Sequence, residues 1–210
     1  MSVGKVTGER IRAAHLGPER RRPQVLDAAL KIAVERGSHA VSMEAVAQRM
    51  EVTKPVVYAC FGSREELLEA LLEREEQRLF RAVIAALPAR PSFEQPEQLL
   101  VEGFQALLKG VASQAESWQL VFAASPDPVV ADRYKRARGL VAKQVGVLMA
   151  PGLSAWGIKD VSRKLPVLVE FFMSAGDGAV RTLIGGEGKW SPDELGALVG
   201  RIVYGALRKA

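Results

Sequence analysis

The residues best suited to chemistry lie at the start of a short predicted helix. Val57 and Phe61, four residues apart, form its apolar side, which leaves Lys54, Val56 and Tyr58 near the exposed N-terminal end. A cation, an apolar group and a phenol at the positive end of a helix dipole suit phosphate oxygens and base edges in a major groove. These side chains therefore predict recognition of a nucleic acid rather than catalysis.

A second short helix is predicted immediately before this one. Its apolar face lies within Val46–Met50, and Ser42 is its expected N-cap. Thr53 is a suitable N-cap for the following helix, and Pro55 lies in the first turn, where a missing N–H is tolerated. Two helices around a tight turn at Glu51 indicate a helix-turn-helix, although a buried helical corner of an unrelated all-α protein has the same pattern.

The net positive charge of the chain accompanies this segment. Residues 1–64 hold eleven Lys and Arg against six Asp and Glu, a net charge of +5, and the whole chain, with 29 basic and 24 acidic residues, also carries +5. Neutralisation of backbone phosphates requires such a basic segment. Within it, the run Arg20–Arg22 fits either phosphate contact or an ordinary exposed helix start.

The composition excludes several classes of protein. Cys60 is the single cysteine and there are two histidines, so a disulfide or a Cys-based metal site is not expected. No motif for a nucleophile, a phosphate loop or a metalloprotease occurs. No apolar run is long enough to span a bilayer, and the N-terminus lacks a signal-peptide pattern. We therefore expect a cytoplasmic protein that is not an enzyme, needs no cofactor or metal, and does not contact a membrane.

Helix-forming residues dominate, and no segment clearly predicts a strand, so the expected fold class is all-α. Ser63 opens a long helix that ends before Pro88 and connects a three-helix head to a C-terminal helical domain. Further helices follow, one of which we expect to end at Pro151 and another to be kinked at Pro166. The predicted divisions are a flexible basic tail at 1–17, the head at 18–64 and a second domain at 65–210.

Residues 20–68 resemble the N-terminal DNA-binding domain of the tetracycline-repressor (TetR) family of bacterial transcriptional regulators. The resemblance lies in Ala28–Ala33, Gly37, Ser42, Val46-Ala47, Val52-Thr53, Val57–Phe61 and Ser63–Leu68. It covers about a quarter of the chain. It implies an Ω-like dimer with about nine helices per subunit, in which the head binds an operator and the C-terminal domain binds an effector and dimerises.

The resemblance also implies roles for individual residues of the head. Residues that match phosphate-contacting positions are Ser42, Tyr58 and Arg64, and those that match base-facing positions are Lys54, Pro55 and Val56; with Thr53 they form the candidate DNA-binding set. The chain departs from the family pattern at Glu51, where glycine is usual, and at Val56, where a small or polar residue is commoner. Val56 therefore predicts an apolar contact with a thymine methyl group.

Aromatic residues of the C-terminal domain are candidates for the wall of an effector pocket. They are Phe104, Trp118, Phe122, Phe171 and Phe172. The same residues fit a packed core equally well.

Small and apolar residues near the C-terminus are candidates for a dimer interface. The predicted set is Gly176, Val180, Leu195, Leu198, Val199, Gly200, Ile202 and Val203. Because glycine lowers helix propensity, close approach of helices across a two-fold axis is expected to offset that loss. Packing of the same helices within one chain is the alternative.

Together these features predict a sequence-specific, DNA-binding transcriptional regulator that acts as a homodimer. We expect a repressor that a small-molecule effector releases from a palindromic operator of double-stranded DNA. A ligand-independent regulator or an activator of the same fold is an alternative. A helical enzyme with a fortuitous helix-turn-helix is a further alternative, which the absence of a catalytic motif disfavours.

Overall fold

The computed structural model describes residues 17–87, 93–122 and 128–210. The predicted tail at residues 1–17 therefore lies outside the described residues except for Gly17. The described residues contain only helices and their connections, which confirms the all-α fold class. The α-helices are α1 Pro18–Arg36, α2 Met43–Arg49, α3 Lys54–Tyr58, α4 Arg64–Ala86, α5 Pro96–Ser113, α6 Ala115–Phe122, α7 Pro128–Ala155, α8 Val161–Gly185 and α9 Pro192–Leu207.

Helix starts follow the local capping signals of the sequence. The hydroxyl oxygens of Ser42 and Ser63 accept hydrogen bonds from backbone amides three residues ahead, at 3.0 and 3.1 Å. Ser191 forms a complete capping box with Glu194 at the start of α9. Thr53 occupies the predicted N-cap position of α3, but its side chain makes no capping hydrogen bond. The predicted helix starts are confirmed, and the Thr53 hydroxyl is not used in capping.

The head is built around one apolar core. Helices α1, α2 and α3 contribute Val25, Ile32, Val46 and Val57, which are all fully buried, and Phe61 follows α3 into the same core. The core also contains Leu67 and Leu71 of α4 and Leu120 of α6. Two helices beyond the head thus complete its core.

The turn between α2 and α3 holds Glu51 in a left-handed backbone conformation, with φ of 55°. The amide of Val52 donates a hydrogen bond to the carbonyl of Ala47 at 3.0 Å and closes the turn. A side chain with a Cβ is strained in this conformation, whereas glycine is not. The departure from the usual glycine is therefore accommodated by backbone strain.

Helices α5 and α9 pack at unusually short range. A Cβ added to Gly196 would lie 2.6 Å from the backbone nitrogen of Gln105, and one added to Gly200 would lie 2.6 Å from the Cα of Val101. Side chains larger than hydrogen do not fit at these positions. The two glycines of α9 therefore permit the backbones of α5 and α9 to touch within one chain.

This packing buries several residues of the predicted dimer interface within one chain. Leu195, Gly200 and Val203 are buried by their own chain, as is Val180 of α8. Gly176 faces Phe104 and Leu107, and the half-buried Val199 packs against two apolar clusters of the C-terminal domain. Ile202 is the one exposed residue of the predicted set, at 58%, and Leu198 is half-buried. The intrachain alternative thus accounts for the other six residues.

One proline behaves differently from the expectation. Helix α7 does not end at Pro151 but continues through it to Ala155. Proline removes one hydrogen bond of the helix but lies close enough to the end that the last turn still forms. Pro166 lies six residues into α8, which runs without interruption to Gly185.

The contact between α5 and α9 predicts the effect of adding one methyl group at residue 200. Gly200→Ala should lower the free energy of unfolding by about 1–3 kcal/mol, because the added Cβ meets backbone atoms that cannot rotate away. Gly139→Ala, in α7 with nothing within 4 Å of its added Cβ, is the control and should raise stability by up to about 1 kcal/mol. Equal effects in urea unfolding would contradict the close approach.

The left-handed backbone conformation of Glu51 leads to a second prediction. Glu51→Gly should raise the free energy of unfolding by about 0.5–1 kcal/mol, because relief of the left-handed strain exceeds the added entropy of the unfolded chain. Glu51→Ala removes the same carboxylate but keeps a Cβ, so it should give no such gain. The turn would not be strained if the two variants unfolded at the same urea concentration.

Candidate nucleic-acid interface and candidate ligand cavity

The N-terminal end of α3 presents the predicted recognition side chains to solvent. Lys54 and Pro55 are exposed, Tyr58 is 51% exposed, and Val56 is half-buried. Val57 is fully buried and fixes the rotation of the helix. Lys54 forms an exposed ion pair with Glu44 of α2, with 3.1 Å between Nζ and the carboxylate oxygen. Such a pair contributes little stability and leaves the ammonium group available to a phosphate or base.

The predicted phosphate-contacting residues differ in how their polar atoms are used. The phenol of Tyr58 projects from α3 into solvent, while the hydroxyl of Ser42 accepts the capping bond and keeps its own hydrogen for a phosphate. The guanidinium of Arg64 donates to the carbonyls of Val41 and Ser38 at 2.7 and 3.3 Å. Arg64 therefore uses two of its five N–H groups to bind the segment that connects α1 to α2.

The arginines of the run Arg20–Arg22, at the start of α1, also differ in whether they form contacts within the protein. Arg22 donates to the carbonyl of Cys60 at 2.7 Å, and its guanidinium lies 4.2 Å from the centre of the Phe61 ring. Arg20 is exposed. Arg22 thus packs α1 against the end of α3, which leaves Arg20 as the exposed cation of the run.

Cys60 is a packing residue in this arrangement. It is buried, and its thiol donates to the carbonyl of Val56 at 3.4 Å. Burial raises the pKa of the Cys60 thiol, although Arg21 and Arg22 partly oppose this effect. A thiol with a raised pKa is a poor nucleophile, so the geometry does not support a redox role.

A cavity of about 210 Å³ lies within the C-terminal helices. Side chains from α4 to α8 form most of its wall, which is apolar over nearly all of its area. One water molecule needs only about 10–15 Å³ in a comparable measure, so this space far exceeds a packing defect. A largely apolar cavity of this size is typical of a site for a small apolar molecule.

Three of the five predicted aromatic residues line this cavity, namely Phe104, Trp118 and Phe172. Phe122 does not line it but packs behind the wall, with its ring centre 6.0 Å from that of Trp118 and 5.2 Å from that of Tyr134. Phe171 is 40% exposed on the outside of α8. The pocket assignment is therefore corrected for Phe122 and Phe171, because the helical rotation of α6 and α8 directs them elsewhere.

The charged side chains of the cavity wall were not predicted from the sequence. Glu75 of α4 is 1% exposed, although it occupies the position between Leu71 and Leu79 in the buried stripe of that helix. Because charged residues are rarely placed in the apolar stripe of a helix, the position of Glu75 in the sequence could have predicted a buried carboxylate. Arg133 and Arg138 of α7 also line the cavity.

A polar network joins α7 to α8 at this wall. The hydroxyl of Tyr134 donates to Asp177 at 2.6 Å, and Arg138 donates to the other Asp177 oxygen at 2.8 Å and to both oxygens of Glu170. Burial raises the pKa of the Tyr134 phenol, and the hydrogen bond to Asp177 raises it further. Tyr134 is therefore protonated at neutral pH and acts as a donor.

Within residues 17–87, 93–122 and 128–210, no group of three or more His, Cys, Asp or Glu side chains is arranged to hold a metal ion. The helices of the same ranges include none with the length and apolarity that crossing a membrane requires.

Comparison with known proteins identifies the head. Residues 25–71 match the family model of the bacterial regulatory proteins of the tetR family. The chain is 34% identical over 111 residues to the HTH-type transcriptional activator FasR of Mycolicibacterium smegmatis, a match that spans 53% of this chain and 49% of FasR. It is 27% identical over 184 residues to the HTH-type transcriptional repressor KstR of Rhodococcus jostii, across 77% of this chain and 85% of KstR.

Solved structures share the whole fold. A TetR-like transcriptional regulator from Rhodococcus sp. RHA1 matches with a TM-score of 0.70 and 24% identity, over 95% of this chain and all of that one. The fatty acid degradation regulator FadR of Bacillus halodurans matches with a TM-score of 0.66 and 15% identity, over 87% and 94% of the two chains. At these identities the likeness concerns the fold alone. The chain thus contains, at residues 25–71, the segment that defines the bacterial regulatory proteins of the tetR family, and it shares the overall fold of TetR-like regulators.

Proposed function

We propose that this protein is a repressor that binds a palindromic operator as a homodimer and is released from it by a small apolar molecule. The observation that carries the proposal is that α4 and α6 serve both the head and the cavity. Leu67 and Leu71 of α4 and Leu120 of α6 complete the core of the head, while Glu75, Leu79 and Trp118 on the same two helices line the cavity. A ligand that displaces either helix must therefore disturb the head.

A polar connection runs parallel to this apolar one. Ser117 of α6 donates to Glu75, whose other carboxylate oxygen accepts from Arg74 Nε at 2.7 Å. Arg74 in turn donates to Asp27 of α1 at 2.7 Å. Because Asp27 belongs to the head and Glu75 to the cavity wall, these four side chains couple the two parts.

The division into a head at 18–64 and a regulatory domain at 65–210 is proposed as a division of function. The apolar core of the head extends across this boundary, because it includes Leu67, Leu71 and Leu120. We assign DNA binding to the first part, and ligand binding and dimerisation to the second.

The proposed DNA interface uses the exposed end of α3. Lys54, Pro55 and Val56 face base edges, and the hydroxyl groups of Thr53 and Tyr58 donate to phosphates. Their exposure and the unused Thr53 hydroxyl support these roles. Ser42 and Arg64 add phosphate contacts from the start of α2 and of α4.

The proposed dimer interface lies on the outer faces of α8 and α9. Val167 is 70% exposed, and Phe171 and Ile202 are exposed as well. Lys164 donates to the carbonyl of Ala210, so the start of α8 lies beside the end of α9. Gly178 and Gly205 have nothing within 4 Å of an added Cβ, which leaves room for close approach of a second subunit.

The choice of repressor over activator is supported by the longer match to a protein named a repressor. The match to KstR spans 85% of that protein, whereas the match to FasR, named an activator, spans 49% of it. An activator of the same fold is the second candidate, supported by the higher identity to FasR. Transcription in the presence and absence of the protein separates the two.

Selection from a random duplex library should yield a palindromic site, and variants should distinguish its contacts. Tyr58→Phe should weaken binding about 3- to 10-fold at every site, because a hydrogen bond to a phosphate carries no sequence information. Tyr204→Phe, which removes a phenol from α9, is the control and should bind normally. Lys54→Ala should instead reduce the difference between preferred and altered sites, as measured by fluorescence anisotropy.

The salt dependence tests the same interface. With about six to ten phosphates neutralised per dimer, the log–log slope of affinity against salt should be about −5 to −9. A slope near zero, or loss of base preference in Tyr58→Phe rather than in Lys54→Ala, would contradict the proposed orientation of α3.

Two valines of equal exposure test the dimer. Val167→Glu in α8 should weaken dimerisation at least ~10-fold in sedimentation equilibrium, because association would bury an unpaired carboxylate. Val147 of α7 is also 70% exposed, and Val147→Glu should leave the dimer intact. The proposed interface is wrong if both variants dimerise like the unmodified protein, or if only Val147→Glu is impaired.

A further inference from the structure

The charged side chains that line the cavity are already matched in pairs. They are Glu75, Glu76, Arg133, Arg138 and Asp177. Arg133 pairs with Glu76 at 3.0 Å, and Arg138 pairs with Asp177 and with Glu170 behind it. Glu75 is held by Arg74 and by Arg78, at 2.7 and 3.4 Å. Among the described residues of the wall, every cation therefore has a carboxylate partner.

The charged groups at the wall leave no excess of positive charge. Three carboxylates and two guanidinium groups line the cavity, and inclusion of their direct partners Arg74, Arg78 and Glu170 gives four acids and four bases. A ligand anion that entered this space would lose its hydration and would have to compete with a protein carboxylate for each cation. Burial of a charge without a partner of its own is strongly unfavourable.

The groups with unused hydrogen-bonding capacity at the wall include acceptors as well as donors. The Glu75 oxygen that bonds to Ser117 has one described donor, and each oxygen of Asp177 also has one. A carboxylate oxygen accepts about two hydrogen bonds, so each of these can accept another. Trp118, which lines the cavity, has a buried indole N–H with no hydrogen-bond partner in the described chain. A hydroxyl group of a ligand can donate a hydrogen bond to one of these carboxylate oxygens and can accept one from the indole N–H.

We infer that the cavity takes a neutral, largely apolar molecule with a hydrogen-bond donor such as a hydroxyl group, and that it discriminates against the corresponding carboxylate. This inference rests on the proposed function for the role of the cavity and adds the chemical class of the ligand. The apolar wall binds the hydrocarbon body, and the spare acceptors of Glu75 and Asp177 receive the donor.

Three probes with the same ten-carbon chain test the inference on the unmodified, full-length protein. They are decan-1-ol, decanoate and 1-methoxydecane, titrated by calorimetry at pH 8, where decanoate is ionised. Decan-1-ol should bind at least ~10-fold more tightly than decanoate, because only the anion must leave its hydration shell without gaining a free cation. It should bind about 2- to 10-fold more tightly than the ether, which accepts but cannot donate a hydrogen bond.

Two glycine variants locate the binding site. Gly103 lines the cavity and has nothing within 4 Å of an added Cβ, so Gly103→Leu should fill the space and weaken decan-1-ol binding at least ~10-fold. Gly139→Leu makes the same exchange on the exposed side of α7 and should bind decan-1-ol normally. The comparison of the three probes needs no variant, so it tests the inference even if Gly103→Leu does not fold.

The inference is overturned if decanoate binds as tightly as decan-1-ol, if the ether equals the alcohol, if none of the probes binds, or if a folded Gly103→Leu binds decan-1-ol like the unmodified protein. Adding each probe to the protein–operator complex separates this result from the proposed function. Preferential binding of decan-1-ol without release of DNA would support the ligand class and reject ligand-controlled release.

Discussion

The burial of one carboxylate, that of Glu75, constrains how the two halves of this protein fit together. A charge 1% exposed in an apolar wall is tolerated only when its oxygens are bonded, and removal of one partner from such a pair typically costs about 3–5 kcal/mol. The partners come from α4 itself and from Ser117 of α6, while Arg74 reaches on to Asp27 in α1. Satisfying this charge therefore fixes α1, α4 and α6 relative to one another.

The same three helices determine how a signal could pass through the molecule. Leu120 of α6 lies in the core of the head, and Trp118, two residues earlier, lines the cavity. Since a packed core responds to displacement by repacking rather than by gradual deformation, a ligand beside Trp118 and Glu75 is well placed to change the head. The proposed release from DNA thus depends on shared helices and does not require a long chain of intermediate residues.

The C-terminal domain uses its glycines for two different purposes. Gly196 and Gly200 permit close contact between α9 and α5 within one chain. Gly178 and Gly205 remain open on the outer faces of α8 and α9, next to exposed apolar side chains. Glycine content alone predicted close helix packing correctly, but it did not indicate which partner each glycine approaches, because the neighbour of a helix is not encoded by its local pattern.

The sequence alone determined the features that depend on residues a few positions apart. Ser42, Ser63 and Ser191 cap the helices that they were expected to start, and Val57 orients α3 so that Lys54 and Tyr58 are exposed, because capping and helical periodicity are local. The burial of Glu75, the placement of Phe122 and Phe171 outside the cavity and the contact of Gly200 with Val101 were decided only in the tertiary structure. Each depends on a helix distant in the chain, whose position follows from the packing of all the others.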